Sequence, residues 1–458
     1  MRRLSLAGLV AAALAVGGCT QEKTCPSDQR VCGGACVLLA TDPQNCGACG
    51  RACGAGEACR QGQCTTCAAA CGDNQRCVDG MCLADVYAAC YDTDEVRAAQ
   101  LDLSPAGVPL ATDGGPISMV QLGDQLYVAN STSNTISAIS FDPTATATRG
   151  DAAIKVIAGA VGFADLEHIA AHDGLLWISN AAAGTLVAVD PARGVVDEVP
   201  LGAPGEFVNP LGVDFVGETA YVALNGANAI AVVDVAAVPG CQPPDPQAPA
   251  CGAGAACASP ATCVNGLCQR SYCGRVVRRI DLSPFAATGA NAAPSRVLAI
   301  GSRVFVTMWN LFDASYQRVP GAYGRLAVID TSADPAAPSV LDLGPQCLNA
   351  YGLALSGSTL WVTCGDYDFT TVRGAAAVPV ALGADATAPP VVGEPVPLPH
   401  AATEIAFCGG SGYVGSSDSG TLMRLDPATA TVQTSDLPLC PPPRPGEASY
   451  IPSVACAP

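Results

Sequence analysis

Residues 126–140, LYVANSTSNTISAIS, hold the unit whose reading decides the fold. Leu126-Tyr127-Val128 is a short apolar run with an aromatic. It ends at Asn130, a polar loop follows, and a second run starts at Thr135. Period-two alternation, β-branched content and a turn between the runs predict two antiparallel strands. The unit returns as LWISNAAAGTLVAVD (176–190) and AYVALNGANAIAVVD (220–234), then around Val304-Phe305-Val306, Leu360-Trp361-Val362 and Gly412-Tyr413-Val414. Six complete copies follow one another at roughly 45–55 residues, the signature of a repeat architecture. A seventh is divided between the ends of the chain. Val86–Cys90 and Val96–Asp102 supply its later strands, and Ile451–Ala455 supplies its first. Radial repetition closed by both termini protects sheet edges, so the expectation is an all-β chain with a seven-bladed β-propeller over residues 85–458.

The cysteines divide what remains. Twelve of the 25 lie between Cys25 and Cys82, six between Cys241 and Cys273, and six are scattered, with Cys19 left over. A block this dense and this poor in large apolar residues needs covalent links, which predicts a disulfide module over 25–84 and a second knot inserted at 239–274. The spacing C-x5-C-x4-C occurs at Cys53–Cys59–Cys64, Cys71–Cys77–Cys82 and Cys257–Cys263–Cys268. Cys46-Gly-Ala-Cys49 and Cys64-Thr-Thr-Cys67 have metal-site spacing, but no histidine lies in the block, so disulfides are expected over zinc. The Pro-flanked insertion reads as a self-contained excursion projecting from the third repeat. Aligned copies place Cys364 and Cys90 at the ends of second strands, and Cys347 and Cys440 just before first strands. The predicted pairs are therefore Cys347–Cys364, Cys90–Cys440 across the ring closure, and Cys408–Cys456. A bond closing so long a loop stabilises by roughly 4–5 kcal/mol in the chain-entropy model.

The N-terminus reads as an export signal. Arg2 and Arg3 precede an apolar core from Leu4 to Val16, which is too short to span a bilayer. Val16-Gly17-Gly18-Cys19 resembles the bacterial lipobox, which implies a signal peptide over 1–18, lipidation of Cys19 and a tether over 19–24. Thr20 after the lipidated cysteine fits sorting to an outer membrane. Forty acidic against 22 basic residues give a net charge of −18, which argues against nucleic acid as a partner. The stretch CGGACVLLATDPQNCGACGRACGAGEACRQGQC resembles the Stig1-like cysteine-rich repeat, CGGxC…D…NCGxCGxxC, of myxobacterial-type lipoproteins. LYVANSTSNTISAISFD resembles YVTN and NHL-like propeller repeats, a group that includes virginiamycin-type lyases.

Candidate chemistry is sparse. His168 and His172 lie four apart in Leu166-Glu167-His168-Ile169-Ala170-Ala171-His172, on one face of a strand. Glu404 holds the matching place in another repeat, with His400 shortly before it. The lyase resemblance implies metal-dependent chemistry at the propeller centre through His168, Glu167 and Glu404. Asp92-Thr93-Asp94-Glu95 and Asp366-Tyr367-Asp368 are acidic loops open to weak Ca²⁺ binding, without EF-hand spacing. Trp309, Phe312 and Tyr316 make an unusually aromatic loop that reads as a contact patch. No GxSxG, HExxH or phosphate-loop pattern occurs. The sequence thus favours a non-catalytic, lipid-anchored binding or scaffolding platform for a protein or glycan. A metal-dependent lyase or hydrolase and a purely structural envelope protein are the alternatives.

Overall fold

The computed structural model describes residues 30–457 except 34, 38, 40–43, 54–56, 61–62, 67–75, 79–80, 124, 141–152, 156–164, 242–246, 253–255, 259–260, 265–266, 270–271, 334–337, 384–387 and 436–437. The signal, Cys19 and the tether lie outside these residues. The chain separates into two compact units, divided near residue 83. Among the described residues no helix is long and apolar enough to cross a membrane.

The N-terminal unit consists of short hairpins, Arg30–Cys32 with Ala35–Val37 and Glu57–Arg60 with Gln63–Thr66, stapled by Cys32–Cys49 and Cys53–Cys64. Cys53–Cys64 joins the first and third cysteines of its C-x5-C-x4-C motif. Cys257–Cys268 in the distant insertion does the same, with the same 11-residue separation. Sulfurs of Cys46, Cys53 and Cys64 crowd within 4.8 Å, as do those of Cys251, Cys257 and Cys268. All six are disulfide-bonded, so this crowding offers no thiolates to a metal.

The second unit is a seven-bladed β-propeller. Blades 1 to 6 begin with the inner strands Pro116–Leu122, Leu166–His172, Pro210–Val216, Pro294–Ile300, Ala350–Ser356 and Ala402–Cys408, each followed outward by antiparallel strands. Blade 7 is composite: the C-terminal strand Val454–Cys456 is innermost and pairs with Val86–Cys90, then Glu95–Ala99 and Pro105–Ala111. Seven apolar clusters fill the seven junctions between neighbouring blades. Trp177, Leu186, Val213 and Val222 pack between blades 2 and 3, for example, and Tyr413, Leu422, Val86 and Ile451 between blades 6 and 7. The alternation read from the sequence therefore buries both faces of each sheet, one against each neighbour.

Disulfides join Cys90 to Cys440, Cys347 to Cys364 and Cys408 to Cys456. The first ties the start of blade 7 to the chain that returns after blade 6, and the last ties the C-terminal strand to blade 6.

The insertion does not simply project, as the sequence suggested. Its base is closed by Cys241–Cys273 and held down on blade 2. The Asp197 carboxylate accepts hydrogen bonds from the Gly274 N–H (2.7 Å) and the Cys273 N–H (3.4 Å), while Arg193 donates to the Cys241 carbonyl (3.2 Å). Burial raises the Asp197 carboxyl above its ordinary value, and the two amides oppose that rise. A cleft of about 510 Å³ separates the knot from the blade 2–3 connection, between Tyr272 and the turn Gly202–Glu206.

Candidate functional site

In six blades the inner strand carries a register shift just after its first residue: at Pro116/Ser118, Leu166/His168, Pro210/Val213, Pro294/Val297, Ala350/Leu353 and Ala402/Ile405. The extra residue of each bulge re-aims two side chains toward the ring centre. The bulges position Glu167 and His168 from blade 2, Ser295 and Arg296 from blade 4, Tyr351 from blade 5, and Thr403 and Glu404 from blade 6. Where two blades approach most closely the bulge residue is glycine. A Cβ at Gly212 would stand 2.7 Å from the Ser295 carbonyl oxygen, and one at Gly352 would stand 2.6 Å from that of Thr403.

Arg296 occupies the centre of this group and is 3% exposed. Its Nε donates to Glu404 Oε1 (2.8 Å), its Nη2 donates to the Tyr351 hydroxyl (2.7 Å), and the guanidinium lies 4.4 Å from the Tyr351 ring centroid. Nη1 is buried without a partner. The Tyr351 and Tyr450 hydroxyls are both held above their ordinary value, chiefly by burial. Glu167 feels the same charge through space, its carboxyl pushed up to about 7 by burial and by Asp165, with Arg296 opposing.

The three residues that the lyase resemblance implied all feel the Arg296 charge, Glu404 by direct pairing and Glu167 and His168 through space. Glu404 is paired with a buried guanidinium, and a divalent ion there would face a fixed positive charge. Among the described residues no three His, Asp or Glu ligand atoms come within 4.8 Å of one another. His172 and His400 stand elsewhere. His172 stacks on Phe215 (ring centroids 4.2 Å apart), and His400 Nδ1 lies 2.8 Å from Asp418 Oδ2.

His168 has a different task. At each of the seven blade junctions a side chain bonds backbone across the gap. The Ser453 hydroxyl accepts from Met119 N–H, Ser118 from Ile169 N–H, His168 Nδ1 from Val213 N–H (3.4 Å), and Asp214 from Ala299 N–H (2.7 Å). The Thr307, Thr363 and Thr403 hydroxyls donate to the carbonyls of Tyr351, Thr403 and Ile451. This belt stitches neighbouring blades into a ring. An acceptor Nδ1 requires a neutral imidazole, and burial together with Arg296 drives the His168 pKa down to about 3.

Glu167 and His168 therefore work against each other in pH. A carboxyl whose folded pKa is raised from 4.5 to about 7 stabilises the fold below 4.5, and that stability is lost as pH rises to 7. A base lowered from 6.5 to about 3 destabilises the fold as pH falls below 6.5. Between pH 4.5 and 6.5 each slope is roughly 1.4 kcal/mol per pH unit and the two cancel. Relative to wild type, Glu167→Gln should gain stability as pH rises through this window, and His168→Gln should lose it, by ~2 kcal/mol across the window. Urea midpoints at fixed pH check this. Parallel curves for all three proteins would refute it.

The antiparallel topology puts the starts of the inner strands, the loops between second and third strands, and the blade-to-blade connections on one face. The acidic loops read as weak Ca²⁺ candidates lie here, and their carboxylates are engaged. Asp92 accepts from Tyr450 N–H, Asp94 from Gly115 N–H, Asp366 from Arg318 Nε (2.7 Å), and Asp368 from Arg373 Nη2 (2.8 Å). The aromatic loop of blade 4 divides. Trp309 and Phe312 are partly buried, Phe312 beneath Arg318 (5.7 Å), whereas Tyr316 is 69% exposed. Phe369, on the corresponding loop of blade 5, is 86% exposed. In the sequence it follows directly on the acidic run Asp366-Tyr367-Asp368, which gives no sign of an exposed aromatic. Arg296 and Tyr351 give no sign of their place either, although repeat alignment sets them level with His168, Glu167 and Glu404.

Solved propellers share this fold at low identity. A functionally unknown protein from Desulfotomaculum acetoxidans DSM 771 aligns with TM-score 0.51 and 9% identity, over 82% of this chain and 99% of that one. Hydrazine synthase of Kuenenia stuttgartiensis (0.48, 13%, 75% and 89%) and a streptogramin B lyase structure (0.47, 13%, 77% and 88%) align more weakly. At these identities the likeness concerns fold alone. No curated protein sequence matches the chain. At its N-terminus, residues 9–66 match the model of the stigma-specific STIG1-like protein family.

Proposed function

We propose that this chain is a lipid-anchored surface protein of a bacterial outer membrane, whose propeller binds a protein or glycan partner without transforming it. One contrast carries the reading. At the centre Arg296 is paired with Glu404 and His168 bonds the backbone of the next blade, while large aromatic side chains stand in solvent on the loops of one face. Exposed aromatics on rigid loops are the usual anchors of recognition surfaces. The stapled N-terminal module serves as a protease-resistant stalk between anchor and propeller. An enzyme acting at the axis is the alternative, favoured by the Glu167 carboxyl that exchanges its proton near neutral pH.

Cys19→Ser should move the protein from the membrane fraction to the soluble fraction and abolish incorporation of labelled palmitate. Retention in the membrane would sink the anchor. For the propeller, envelope material retained by immobilised wild-type protein should be lost with Tyr316→Ala and kept with Glu167→Gln. The opposite pattern would favour axial chemistry.

A further inference from the structure

We infer that the exposed aromatic pair Tyr316 and Phe369, on the adjoining loops of blades 4 and 5, forms a binding site for a neutral glycan whose sugar rings stack on the two side chains. The inference rests on the binding-platform reading and names its ligand class.

Both loops are rigid. In blade 4, Phe312 and Arg318 bridge across a five-residue tip. There the Asp313 carboxylate accepts from the Ser315 N–H (2.8 Å) and the Gln317 N–H (2.9 Å). In blade 5, Asp368 Oδ1 accepts from the Thr371 N–H (2.9 Å) and the Thr370 hydroxyl (2.7 Å). Tyr316 and Phe369 sit at these tips with φ of +57° and +65°. The left-handed region is unfavourable for an aromatic residue, and here it turns both rings out of the fold. Arg318 crosses from the blade 4 loop to Asp366 (2.7 Å) and Asp368 (3.8 Å) of the blade 5 loop and ties the two together. Tyr367 packs at a tilt of 55° against Phe369 (ring centroids 5.9 Å apart) and supports it.

The surroundings select the ligand. Arg318 and Arg373 are paired with Asp366 and Asp368, and Asp313 adds a further carboxylate, so the patch offers no positive charge to an acidic partner. The net charge of −18 further disfavours acidic polymers. Each aromatic is bordered by exposed polar residues, Ser315 and Gln317 in one loop and Thr370 and Thr371 in the other. A protein interface needs a contiguous desolvated centre, which these tips lack. A ligand with flat C–H faces and hydroxyl edges matches aromatic planes bordered by hydroxyl and amide groups: a pyranose chain.

The test is native affinity electrophoresis of the detergent-solubilised full chain through gels containing laminarin, xylan, mannan or dextran, with alginate as the acidic control. At least one neutral polysaccharide should retard the wild-type protein, and alginate should not. Tyr316→Ala and Phe369→Ala should each weaken that retardation at least tenfold, while Tyr316→Phe, which keeps the ring, should stay within about threefold of wild type. Both sites are exposed, and unchanged near-ultraviolet dichroism verifies folding. No retardation by any neutral polysaccharide, or equal retardation of wild type and both alanine variants, overturns the proposal. If protein-containing envelope fractions still bind in a Tyr316-dependent way, only the ligand class is wrong. If they do not bind either, the platform reading falls with it.

Discussion

Replacing both cysteines of the ring-closing bond, Cys90→Ala with Cys440→Ala, should cost the propeller on the order of 5 kcal/mol. The bond spans 350 residues of sequence, so its loss restores a large loop entropy to the unfolded chain. Cys347–Cys364 is the control. All four cysteines are buried to the same extent, and both bonds stand at the same place in a blade, but Cys347–Cys364 spans only 17 residues. Its double-alanine variant loses similar packing and a smaller loop, so ~3 kcal/mol is expected. Urea midpoints of the two variants against wild type make the comparison. The ring-closing variant should also be cut first by limited proteolysis, between blades 6 and 7. Equal losses in both variants would show that loop length is not what the closure bond contributes.

Arg296→Met should be almost as costly, at ~3–5 kcal/mol, because it keeps an unbranched apolar stem but leaves the mostly buried Glu404 carboxylate without its partner. The guanidinium also faces the Tyr351 ring and hydroxyl, and both contacts vanish with it. The informative experiment is the double variant Arg296→Met with Glu404→Gln. Most of the loss comes from the stranded carboxylate rather than from the missing attraction, so the double variant should recover more than half of it. A double variant as unstable as the single one would mean that Arg296 acts through packing alone. The two predictions concern different parts of the ring, and their effects should add when combined.

Much of this architecture was legible in the sequence. Tyr127, Trp177 and Tyr221 recur at one place in successive units, and that recurrence identifies second strands because the period-two pattern is local. The pairing of Cys90 with Cys440 followed from the same alignment, since equivalent positions in equivalent blades share one geometry. The candidate site was less legible. His168, Glu167 and Glu404 were placed at the starts of inner strands, but their partner Arg296 was not, because Ser295-Arg296-Val297 reads as an ordinary strand beginning. The bulges that turn such residues toward the axis leave no compositional trace. The role of His168 was hidden for the same reason: its hydrogen-bond donor is a backbone amide of the next blade, and every residue type except proline supplies one. Phe369 lay in a segment whose acidic residues drew attention, and its exposure depends on a left-handed turn.

By itself the sequence determined the number of blades, the closure through both termini and the division into stapled module and propeller. Each of these follows from spacing within one repeat or from cysteine density, and neighbouring residues specify both. Only the tertiary structure decided that Glu167, Tyr351, Glu404 and Tyr450 gather round the buried Arg296, and that Arg318 joins the loops that carry Tyr316 and Phe369. The closing of the ring brings residues more than two hundred positions apart around one buried guanidinium. Nothing local in the chain encodes that meeting.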